Sequence, residues 1–123
     1  MIAAQAGEAD SNRFVSPEVI SEIKNNDIMR FTASESMGGL EQSCTRVGQE
    51  LEAIAAACSS TAWCLWNHLS TFHFFCGLLG PRHLDFLAGI VNKREWVCFP
   101  AGASTAVKGS QADQEIALQG RAA

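Results

Sequence analysis

From Ala53 to Pro81 the chain carries no Asp, Glu, Lys or Arg. A stretch so poor in charge must be hidden from water, by the chain's own folding or by a partner. Other absences narrow the field further. The nine basic residues are spread singly apart from Lys93-Arg94, so no patch is dense enough to track phosphates, which excludes a nucleic-acid partner. The five cysteines make an odd number and form no Cys-x-x-Cys pair. Four of them lie in hydrophobic runs and are expected as buried thiols of a reducing compartment. The start, Met1 to Glu8, has neither a basic region nor a long apolar run, so no secretory leader is expected and the location expected is cytoplasmic. Gly102 and Gly109 match neither a Walker loop nor the dinucleotide fingerprint.

The uncharged stretch also has to be weighed as a membrane span, which needs about 20 predominantly apolar residues. Asn67, His68, Ser70, Thr71 and His73 interrupt its middle, Gly77 and Gly80 weaken its end, and no basic cluster flanks one side. The central helix of a globular domain is the better account, and no membrane is expected.

What is present supports a folded chain. At 123 residues, 47% apolar and 18% charged, with a net charge of −4, the composition suits one domain able to bury roughly two thirds of its unfolded surface. Residues 1 to 12 carry no clear pattern and are expected as a flexible start or frayed helix end. Ser16-Pro17-Glu18 reads as a helix start, with a serine cap, proline at the first position and an acid near the positive dipole end. Val19, Ile20 and Ile23 give that helix an apolar face, and Asn25-Asn26-Asp27 stops it. Ile28-Met29-Arg30-Phe31 is a brief apolar run, and residues 32 to 39 form a loop ending in two glycines. After Ser43, a second cap candidate, Val47, Leu51, Ile54, Ala55 and Cys58 recur at amphipathic helical spacing.

Ser59 or Ser60 starts the third and central helix, expected from about Thr61 to Leu79, with apolar residues around nearly its whole circumference. Gly80 ends it, and Pro81 opens a fourth helix over Arg82 to Asn92 with Leu84, Leu87, Ile90 and Val91 inward. Trp96 to Phe99 and Glu115 to Gln119 are strand candidates separated by a loop-like Pro100 to Ser104. The expected fold class is therefore mainly α: an up-and-down domain of about four helices followed by an incomplete β segment.

Chemically, Cys64 with His68 and His73 with Cys76 have helical spacing that could pair metal ligands. The two pairs are rotated apart and no acidic ligand is near, so core thiols and polar-tipped histidines are the stronger account and no metal is expected. A cysteine nucleophile built on Cys64 or Cys76 would need access and a positive surrounding, which an uncharged buried helix does not supply.

The order of motifs carries more. A helix from Ser16 to Asn25, Ile28-Met29-Arg30, Gly38-Gly39-Leu40, a helix ending near Ala55, Ser60-Thr61-Ala62 with His68 beyond it, then Gly80 and a short helix together resemble the N-terminal helical domain of the acyl-CoA dehydrogenase superfamily. The Thr-Glu-Pro-x-x-Gly-Ser-Asp type loop of the dehydrogenases proper is absent. Pro100 to Gly109, with Ser60-Thr61-Ala62-Trp63, is instead similar to the group D flavin monooxygenases, although Val97, Cys98 and Phe99 lack the serine some of them carry there.

The resemblance implies a helical domain over residues 13–93 and the beginning of a truncated β domain over 94–123. It implies a flavin, FAD or FMN, near Cys98, Phe99, Pro100, Ala101 and Gly102. It also implies a substrate pocket lined by Leu65, His68, Leu69 and Phe72, taking an acyl-CoA or an aromatic or heterocyclic compound. A flavin reductase and a homo-oligomeric state are the implied protein partners. The chain is accordingly expected to be an inactive N-terminal portion of a flavin-dependent oxidoreductase; the alternative is a small helical interaction or oligomerisation module without catalysis.

Overall fold

The computed structural model describes residues 1–98, 108–112 and 115–119. It is mainly helical, and local chemistry marks several of the helix ends. Helix α1 (Ile2–Asn12) is rich in alanine, the best helix former, and stops at Arg13 in the left-handed region, φ 59°. The sequence pattern gave little sign of it, because its packing rests on few apolar residues, Ile2 and the buried Ala9 among them. Helix α2 (Pro17–Asn25) has the expected cap: the Ser16 hydroxyl accepts from the Val19 N–H. Its buried residues are Val19 and Ile23.

The apolar run after α2 becomes a 3₁₀ turn, Asp27–Arg30, capped by the Asn26 side chain. Residues 31–42 then double back on themselves, with Leu40 N–H donating to Arg30 O, Glu41 N–H to Ala33 O and Gln42 N–H to Phe31 O. Gly39 is needed there because a Cβ would stand 2.0 Å from the Ala33 carbonyl oxygen. Helix α3 (Cys44–Ala57) starts at the Ser43 cap, whose hydroxyl accepts from the Arg46 N–H. Of its expected inward residues Val47 is buried, Leu51 and Ile54 are half-buried and Ala55 is exposed.

Helix α4 (Ser59–Leu79) is the longest element and packs along α3. Its inner face joins two clusters. Leu65 and Leu69 meet Val19, Ile23, Ile28, Met29 and Val47, whereas Phe72 meets Ala33, Leu87 and Val91 further along. The all-round apolarity of α4 does not translate into all-round burial: Trp63 and Leu78 stay 67% and 65% exposed. Gly80 ends the helix at φ 64°, a conformation open to glycine, and the chain turns through 108° into the segment Pro81–Lys93.

That segment is a 3₁₀ turn, Pro81–His83, followed by α5 (Leu84–Lys93). Leu87 and Val91 are buried as expected, but Leu84, at the first position of the helix, stays 37% exposed. Arg94, at φ 51°, closes the body by reaching Asn25 O and the Asp27 carboxylate that Arg30 also binds.

Trp96 to Cys98, expected as the first strand, form none; the Val97 N–H is spent on a side chain instead of a ladder. The strands are β1 (Lys108–Ala112) and β2 (Glu115–Gln119), an antiparallel pair with Lys108 opposite Gln119 and Ala112 opposite Glu115. The second matches the strand expected from its sequence. Among the described residues no single helix is long and apolar enough to cross a membrane; α4 and Pro81–Lys93 pass such a test only together, as a bent pair.

Candidate functional site

Leu65, His68, Leu69 and Phe72 do share one stripe of α4, since residues three and four apart lie on one helical face. All four are buried, at 0 to 3% exposure. Leu65 is enclosed by the core, and Phe72 is packed in the second cluster. Leu69 reaches both the core and an open cavity beside it.

His68 has the most defined chemistry. Its Nδ1 accepts from the Val97 N–H at 3.0 Å, so Nε2 carries the proton and donates to Met29 O at 3.1 Å. Its ring lies edge-on to Trp96 at 5.3 Å and stacks near Phe72 at 6.4 Å. Burial pushes its pKa down, against the opposing pull of the Met29 carbonyl. The imidazole is thus a neutral tie between the 3₁₀ turn, the central helix and the segment leading towards the strands. The Trp96 indole N–H beside it is buried without a partner among the described residues.

Of the cysteines expected as buried thiols only Cys58 is buried; Cys44 and Cys98 are exposed, and Cys64 and Cys76 are half-buried, with pKa values that burial raises. Cys58 differs, because the Thr61 hydroxyl and N–H at the start of α4 pull its pKa down. Among the described residues no group of three or more His, Cys, Asp or Glu side chains gathers to hold a metal. His68 is already doubly bonded and His73 lies exposed on another side of the helix.

The open cavity is about 460 Å³ and lies between α3, α4 and the 31–42 loop. Val47, Leu51, Trp66 and Leu69 make its apolar walls, and Glu41, Gln42, Ser70 and His73 its polar edge. This volume falls in the roughly 300–1,000 Å³ range of ligand sites. Sequence reasoning missed it by choosing the neighbouring stripe. Trp66, Leu69, Ser70 and His73 also have i, i+3, i+4, i+7 spacing, the signal that could have revealed them. Of the residues implied for flavin, Cys98 is exposed, and Phe99, Pro100, Ala101 and Gly102 lie outside the described residues. Compared with protein-family models, curated proteins and solved structures, the chain matches none.

Proposed function

We propose that this chain is the N-terminal portion of a flavin-dependent oxidoreductase of the acyl-CoA dehydrogenase superfamily, serving acyl-CoA dehydrogenation or flavin-dependent monooxygenation. The observation that supports this reading is the tie made by His68. A helical body whose central helix grips the segment leading to a β hairpin offers the layout in which an up-and-down helical domain opens into a β domain. Flavin, a small-molecule substrate, a flavin reductase and assembly into a homo-oligomer belong to the same proposal.

Of the residues implied for flavin the structure describes Cys98 alone, and one exposed thiol makes no cradle. No reaction step is therefore assigned to a side chain. The test is flavin retention. The chain, expressed with whatever its reading frame encodes beyond Ala123, is mixed with FAD or FMN and desalted. Flavin absorbance that stays with the protein is expected; loss of both flavins sinks the reading.

A second reading, a helical interaction module without catalysis, is favoured by the large apolar side chains exposed on α4 and α5, including Trp63, Leu78 and Phe86. It predicts a colourless protein whose sedimentation depends on concentration.

A further inference from the structure

The cavity between α3 and α4 has features that select a ligand by charge as well as by shape. Val47 and Leu69 form a buried floor, with Leu51 and the half-exposed Trp66 ring beside it. Gly48 keeps the α3 side open, since a Cβ built on it would meet nothing within 4 Å. Such a space takes a flat body of one or two rings, desolvated against aliphatic and indole surfaces.

The edge is fixed in place. Glu41 and Gln42 are held by backbone bonds of 2.9 and 2.8 Å to Ala33 O and Phe31 O, and the Thr32 hydroxyl donates to Leu69 O on α4 at 3.0 Å. Glu41 sits at φ 44°, and one of its carboxylate oxygens accepts from the Glu35 N–H at 3.2 Å. Among the described residues lining the cavity there is this one carboxylate and no lysine or arginine, His73 and Cys44 being the other titratable groups. An anion entering there meets a like charge. A cation meets Glu41 beside the indole of Trp66.

We propose that this cavity binds a small hydrophobic amine, an aryl-alkyl ammonium ion with its ring between Val47, Leu51, Leu69 and Trp66 and its charged end at Glu41. The proposal does not rest on the flavin reading: Cys98, the one residue of that reading among the described residues, does not line the cavity, and binding here requires no flavin.

Three probes with the same ring and different charge test it: 2-phenylethylamine, 2-phenylethanol and phenylacetate, titrated by calorimetry at pH 8. The amine is expected to bind most tightly and phenylacetate least. Glu41→Gln should weaken the amine by roughly three- to fivefold, the scale of an exposed ion pair, and leave the alcohol unchanged. Gly48→Leu, which fills the cavity while improving helix propensity, should abolish binding of all three. In the unaltered protein the amine should also slow alkylation of Cys44, whose exposed thiol lines the cavity, while leaving Cys98 unaffected. Equal binding of amine and carboxylate, binding that survives in folded Gly48→Leu protein, no amine binding at about 1 mM, or no protection of Cys44 would each overturn the proposal.

Discussion

Along one side of α4 Leu65, His68, Leu69 and Phe72 are almost wholly buried, while on the other Trp63, Trp66 and Leu78 keep 47 to 67% of their surface in water. Both sides are apolar, so hydrophobicity does not decide which is inside. The neighbours do: α2, the 3₁₀ turn at Asp27–Arg30, α3 and α5 all lie on the inner side. Identical side-chain chemistry therefore has opposite energetic weight at positions a few residues apart, and substitutions can measure the difference.

The sharpest test is a matched pair of leucines. Leu69→Ala removes packing from a fully buried site and should lower unfolding free energy by about 3 kcal/mol, read from urea denaturation. Leu78→Ala, with the same atoms removed at a 65% exposed site, should stay within about 0.5 kcal/mol. Equal costs would mean that the outer side is covered in solution as well.

His68→Phe comes next. It keeps an aromatic ring but leaves Met29 O and the Val97 N–H without their partner, at a cost of about 2 kcal/mol by the same measurement. A neutral result would show that the tie adds nothing to the stability of the inner side.

The same residue gives the inner side a pH dependence. Because burial lowers the pKa of His68, the unfolded chain binds the additional proton. Its stabilising effect is complete above the ordinary value of 6.5 and declines as pH falls below that value. Denaturation at pH 7.5 and 5.5 should show the decline in the unaltered protein and a smaller one in His68→Phe.

A smaller effect is expected at the helix that covers the stripe. Ser43→Ala removes the cap of α3 and should cost about 1 kcal/mol in thermal or urea unfolding. At the bottom of the scale, Trp63→Ser with Leu78→Ser should leave stability nearly unchanged but reduce any association seen by sedimentation at high concentration.

Much of the helical layout is legible in particular residues. Ser16-Pro17 and Ser43 announce α2 and α3 because capping is settled within a few residues, and Gly80 ends α4 because glycine tolerates its positive φ. The Trp96 to Phe99 run shows where that legibility stops. Its composition favours a strand, yet the Val97 N–H is taken by His68, 29 residues away. For the candidate site, the spacing of Leu65, His68, Leu69 and Phe72 groups them on one face of α4, but could not tell a packed stripe from a cavity wall. Only Leu69 belongs to both.

The sequence by itself determined where most of the helices begin and end and that the central one would be apolar, since caps, stops and composition act locally. Tertiary structure alone decided which side of that helix is core, which nitrogen of His68 carries the proton, and where a cavity remains. Those outcomes depend on groups brought together across the chain: Met29 bonded to His68 over 39 residues, and Thr32 to Leu69 over 37. No local pattern specifies such pairings, because their energy exists only once the helices have packed.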